Sequence, residues 1–164
     1  MAAKTGKPDL REIEEFLYRE ASYLDRKLYT EWLDLFTEDG LYWVPAAPDQ
    51  KDPYHHVSIY FEDRLLRQMR VNRLRHPQAF SLESPVRASR MVGNVLIESF
   101  DPESGACRVR STFHMLELQY GEQQLYGGFY LHDLVAWEAG YKIKMKRVDL
   151  INCDSPLDVM QAFL

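Results

Sequence analysis

Two histidines, His114 and His132, are the residues whose types and spacing most invite acid–base chemistry. Folding the chain back at Gly121-Glu122-Gln123-Gln124 makes them near cross-strand neighbours on one sheet face, with Tyr126 and Tyr130 on the same side. One reading is a polar pocket in which imidazole and phenol move protons. The other is a pair of histidines satisfied by tyrosine or carboxylate neighbours, or facing a partner subunit. A one-residue slip of register would separate the pair.

The remaining titratable groups point less sharply. His55 and His56 are adjacent and would point opposite ways in a strand, which argues against a shared metal. His76 precedes Pro77 at an expected helix end, where a cation suits the terminal carbonyls. Cys107 and Cys153 carry no flanking residues that would activate a nucleophile, and two cysteines are no disulfide framework. Reduced thiols in the cytoplasm are expected. The Gly127-Gly128 pair falls inside an expected strand and marks a bend or a close backbone approach, not a nucleotide loop.

Charge is uneven along the chain. The whole carries a net charge of −5, but residues 64–90 hold seven arginines against one glutamate. The overall sign excludes general affinity for nucleic acid. The basic band reads as ion pairing within the fold or across a subunit boundary, since arginine makes bidentate contacts with carboxylates. Arg64, Arg67, Arg75, Arg87 and Arg90 are the candidate partner-interface residues. No glycine-rich loop opens this segment, so it is no phosphate cradle.

The elements that must position these groups can be read from periodicity. Residues 1–8 read as a polar tail and residues 9–164 as one domain. Asp9 is the expected cap of a long helix with Leu10, Ile13, Leu17, Ala21, Leu24 and Leu28 on one stripe. Thr30 is expected to cap a shorter helix burying Trp32, Leu33 and Phe36, followed by a turn at Glu38-Asp39-Gly40 and a strand from Leu41 to Val44. A short strand is expected from His56 to Ile59. A third helix then has Leu65, Leu66, Met69 and Leu74 apolar and Arg64, Arg67 and Arg70 on a second face, ending at Pro77. A loop covers residues 78–88.

Four strands follow, at about residues 89–99, 107–120, 124–137 and 141–151. The alternation of Leu125, Phe129, Leu131, Val135 and Trp137 marks one face of the third. The last changes parity near Lys146-Arg147, where a bulge would bend the sheet. The C-terminal stretch from Ser155 to Leu164 is too apolar for a free tail and is expected to dock on the domain or a neighbour. The fold class is α+β: a curved antiparallel sheet wrapped around N-terminal helices. No segment is long and apolar enough for a membrane helix, and the N-terminus lacks the apolar core of a signal peptide, so no membrane contact is expected.

Four segments, FLYREASYLDRKLYTEWLDLFTEDGLYWVP, EDRLLRQMRVNRLRHPQAFSLESPVRASRMVGNV, YGGFYLHDLV and KMKRVDLINCD, resemble in order and spacing the small (β) subunit of aromatic-ring-hydroxylating dioxygenases. The first segment is most similar to benzoate-type enzymes. The resemblance implies a nuclear-transport-factor-like or cystatin-like cone and a non-catalytic chain. It also implies a trimer of β subunits beneath three catalytic α subunits, and a Rieske 2Fe-2S cluster and a mononuclear iron on α. This chain's own residues agree on the cluster. Such a cluster needs paired Cys and His ligands, and neither cysteine has a histidine at that spacing. The alternative is a stand-alone dehydratase or isomerase on the same cone, working through Asp39, Tyr42, His114 and His132.

Overall fold

The computed structural model describes residues 6–76, 85–138, 140–157 and 160–164. Asp9 caps helix α1 (Leu10–Asp25) by accepting from the Arg11 amide at 3.2 Å. Ile13, Phe16, Leu17, Glu20 and Leu24 form its buried side, while Leu10, expected on that stripe, is exposed at the first turn. Within the expected tail, Pro8 is already buried.

Helix α2 (Tyr29–Leu33) is shorter than its apolar residues suggest, and Leu28, not Thr30, occupies the cap position. Phe36 belongs to strand β1 (Phe36–Pro45), which also contains the expected turn. Thr37, Glu38 and Asp39 form an irregularity there, because the β1 register with the last strand shifts between Phe36 and Leu41. Gly40 permits it: a Cβ at this position would lie 2.8 Å from the Ile143 carbonyl oxygen. Turn-type residues therefore make a bulge, and the strand begins five residues earlier than its apolar run.

Strand β2 (Ser58–Glu62) follows, two residues later than expected, and Asp63 caps helix α3 (Arg64–Arg75) through the Leu66 amide at 2.9 Å. Helix α3 departs from the expected faces, although Leu74 still packs on the core and Arg64 is still exposed. Leu65, Leu66 and Met69 are exposed, while Arg67, Arg70 and Val71 are buried. The reason is the lining of the space beneath the helix. Arg67 Nη1 donates to the Gly40 carbonyl at 2.7 Å and to the Glu62 carbonyl at 3.1 Å, with its guanidinium 4.0 Å from the Phe36 ring centre. Arg70 pairs with Glu62 at 3.3 Å and lies between the rings of Tyr60 and Phe163. Aromatic faces and buried acceptors hold guanidinium better than they hold leucine. Pro77, and residues 78–84 of the expected loop, lie outside the described residues.

Strands β3 (Arg87–Phe100), β4 (Cys107–Gln119), β5 (Glu122–Trp137) and β6 (Gly140–Leu150) form the expected meander. The sheet order is β2-β1-β6-β5-β4-β3. The β1–β6 pair is parallel and the rest antiparallel, so the sheet is mixed where an all-antiparallel one was expected. The chain leaves β1 through β2 and α3 and returns with its last strand beside β1. β6 does carry a bulge, but at Lys144, two residues before the expected place: Asp133 faces Met145 and Leu134 faces Ile143. Further register shifts in β3 add to the bend. Helix α1 packs against β3 on the inner face. Among the described residues, no helix is long and apolar enough to cross a membrane.

Candidate functional site: a buried clasp between helix and sheet

Glu20 points from α1 into the sheet and takes three partners. Trp32 Nε1 donates to Oε1 at 3.1 Å, Lys146 Nζ donates to Oε1 at 2.8 Å, and His132 Nε2 lies 2.9 Å from Oε2. Glu20, Trp32, His132 and Lys146 are all buried. Burial alone would raise the Glu20 carboxyl. The Lys146 ammonium and His132 outweigh burial and hold it well below the usual carboxylate range. Burial draws the Lys146 ammonium below its ordinary value of 10.5 against the pull of Glu20. An ionised Glu20 carboxylate can only accept, so His132 Nε2 carries the hydrogen that faces it. His132 Nδ1 has no partner among the described residues. Lys146 also lies 4.3 Å from the Tyr130 ring centre, and Tyr130 stacks on Phe113 at 4.1 Å.

This arrangement clasps two helices to the centre of the sheet. Sequence reasoning missed Glu20 and Lys146. The signal for Glu20 was present: it interrupts the apolar stripe between Leu17 and Leu24, where a solvated charge does not belong. Lys146 was hidden because the bulge at Lys144 turns it inward.

The expected His114–His132 pair does not form. Gln119 pairs with Glu122, so the hairpin is tighter than assumed and the offset is odd. His114 instead faces Gly127 on the outer side, and His132 lies opposite Val109 on the inner side. Tyr126 and Tyr130 share the inner face with His132, and Leu125 lies exposed outside. His114 lines an outer cavity of about 350 Å³ with Thr112, Leu125 and Phe129.

Asp39 and Tyr42 are likewise apart. Asp39 is exposed on β1 and pairs with Lys144. Tyr42 is buried, and its hydroxyl accepts from the Leu164 amide at 3.0 Å. Burial raises its phenol well above the ordinary value. The four side chains of the alternative enzyme therefore do not converge on one mouth. Burial, then the charge of Asp133, pushes the Cys107 thiol up to about 11, which leaves it a poor nucleophile at neutral pH.

The interface arginines divide. Arg67 is buried as described. Arg90 is enclosed too, donating to Asp25 and to the Phe163 carbonyl. These two depart from the expected role because acceptors inside the chain already take them. Arg64, Arg75 and Arg87 are exposed; Arg64 pairs with Glu38 at 3.6 Å and Arg75 donates to Thr30 Oγ1 at 2.8 Å.

Among the described residues, no three His, Cys, Asp or Glu side chains are arranged to hold a metal ion. Cys107 opens β4 while Cys153 follows β6, and both are free thiols. The residues present do not fit a Rieske cluster.

A half-open sheet wrapped on its helices, with the interior closed by a helix-to-sheet clasp, defines a cone-fold protein. The family described as ring hydroxylating beta subunit matches residues 19–155, and the chain belongs to it. It is 30% identical over 142 residues to the 2-halobenzoate 1,2-dioxygenase small subunit of Burkholderia cepacia, covering 84% of this chain and 85% of that one. The crystal structure of the benzoate 1,2-dioxygenase beta subunit from Burkholderia mallei superposes with a TM-score of 0.77 at 29% identity, over 94% of this chain and 97% of that one. A putative scytalone dehydratase from Novosphingobium aromaticivorans superposes with a TM-score of 0.64 at 17% identity, over 86% of this chain and 83% of that one, a likeness of fold alone.

Proposed function

We propose that this chain is the non-catalytic small subunit of an aromatic-ring-hydroxylating dioxygenase, supporting the assembly of the large catalytic subunits in aromatic compound degradation. Three copies sit beneath three large subunits in the cytoplasm. The Rieske cluster and mononuclear iron belong to the large subunit, which adds both oxygen atoms to the ring with electrons from an NADH-linked reductase. This chain supplies shape and contact area.

The observation that carries the reading is the exposed apolar row on α3. An exposed row of Leu65, Leu66 and Met69, 66%, 46% and 57% accessible, stands where a lone domain would keep polar residues. Arg67 and Arg70, which the helical pattern would have left to solvent, are committed to the interior, while Arg64, Arg73 and Arg75 stay exposed. A partner surface explains both.

The test is the native mass of the complex carrying Leu66→Lys and Met69→Lys. Both positions are surface sites, so folding of the chain itself should change by no more than about 0.5 kcal/mol. The expected result is a folded chain released from the large subunit. An intact complex of unchanged mass and salt resistance would contradict the proposal for this face. The alternative, a stand-alone dehydratase or isomerase, requires Asp39, Tyr42, His114 and His132 to meet, and they lie apart.

A further inference from the structure

Residues 160–164 lie inside the cone and are held in the manner of a ligand. Met160, Ala162, Phe163 and Leu164 are buried. The Phe163 ring is 4.4 Å from Trp32, 5.8 Å from Tyr42 and 6.2 Å from Tyr29, with the Arg70 guanidinium 4.2 Å from its centre. The Phe163 carbonyl accepts from Arg90 Nη2. The Ala162 carbonyl accepts from Arg70 Nη2 at 3.4 Å, and its amide donates to Glu117 at 3.1 Å. The Leu164 amide donates to Tyr42 at 3.0 Å, and the Met160 carbonyl accepts from the Tyr60 hydroxyl at 3.3 Å.

Each of these five bonds joins the segment's backbone to a side chain of the cone. None is a rung of the sheet. The segment's buried backbone groups are thus satisfied by side chains around an aromatic pocket, as the polar groups of a ligand in such a pocket are. Arg70, Glu117 and Tyr42 are buried residues and the Arg90 side chain is 1% exposed, so these groups serve the interior and not solvent. Asp25 pairs with Arg90 Nη1 and Glu62 with Arg70 Nη1, and Nη2 of each guanidinium is directed at a carbonyl of the segment.

Phe163 with its own carbonyl is chemically a 3-phenylpropanoyl group. We infer that the cone interior is a binding site for an aromatic ring joined by a two-carbon arm to a carbonyl or carboxylate, and that residues 160–164 are its tethered occupant. The ring fills the Tyr29–Trp32–Tyr42 box and the oxygen meets Arg90. A free carboxylate strengthens that contact, because a charge-assisted bond to guanidinium exceeds a neutral one. The tether keeps the segment at high effective concentration, so a small molecule competes only when the segment's grip is reduced.

The experiment uses the full chain in its native assembly, carrying Phe163→Ala, with 3-phenylpropanoate and toluene as probes. The expected result is that 3-phenylpropanoate binds at least about ten-fold more tightly than toluene. It should also expose the Ala162 and Leu164 amides to hydrogen exchange, since the carboxylate displaces the segment. Equal affinity, or amides that stay protected, would overturn the inference and leave only an apolar cavity. Should the variant not fold, the unaltered chain decides. Its Ala162 and Leu164 amides should exchange about a hundred-fold faster than those of Tyr130 and His132, by local opening. Exchange of both sets at one common rate would make the segment core and overturn the inference.

Discussion

Glu20 on α1 and Lys146 on β6, 126 positions apart in sequence, meet as a buried ion pair at 2.8 Å. Trp32 and His132 complete the coordination of the carboxylate. Removing one charge leaves the other buried and unpaired, so Glu20→Gln should destabilise the chain by about 3–5 kcal/mol. The double replacement Glu20→Gln with Lys146→Met should recover a large part of that loss. Urea unfolding midpoints of the three proteins check this, and a double variant no more stable than Glu20→Gln would contradict it.

The same pair sets an acid limit. In the folded chain Glu20 ionises below its ordinary value of 4.5. Between those two values the unfolded chain therefore binds more protons than the folded one. The stability from the pair is complete above about pH 5 and is lost as the pH falls through the folded value. Unfolding free energies measured from pH 7 downward should fall below that point, and the fall should be shallower in Glu20→Gln.

Gly128 should tolerate no side chain. A Cβ there would lie 2.0 Å from the Asp149 carbonyl oxygen, which is backbone and cannot yield cheaply. Gly128→Ala should cost about 3 kcal/mol by overpacking. Gly93→Ala is the control: nothing lies within 4 Å of its Cβ position. That change should be neutral or stabilising. Thermal unfolding of the two variants gives the comparison directly.

The general architecture was legible because it rests on period and punctuation. The cap at Asp9, the four-strand meander and the change of parity in the last strand all follow from local spacing. The docked C-terminal segment was legible from its apolarity, and Phe163 is buried as that requires. What sequence could not deliver is where long-range pairing decides. His114 and His132 fall on opposite faces because the hairpin closes between Gln119 and Glu122. Leu65, Leu66 and Met69 of α3 face outward because carbonyls and rings from β1, β2 and the C-terminal segment await Arg67 and Arg70. Those acceptors are distant in sequence, so no helical pattern announces them.

The arginines left outside make a separate prediction. Arg75 and Arg87 are exposed and lie near the two ends of the segment joining α3 to β3. Arg75→Glu and Arg87→Glu should weaken assembly, more so at low salt, because like charges then oppose across the boundary. Native mass across a salt series reads the effect. Complexes of unchanged mass at every salt concentration would remove these residues from the interface.

The central claim is that this chain works as the small subunit of a larger oxygenase. Its most direct test is to purify the tagged chain from its own host and record native mass and visible absorbance together. The expected result is a complex with a larger partner showing iron–sulfur absorbance. A colourless species containing this chain alone would contradict the claim.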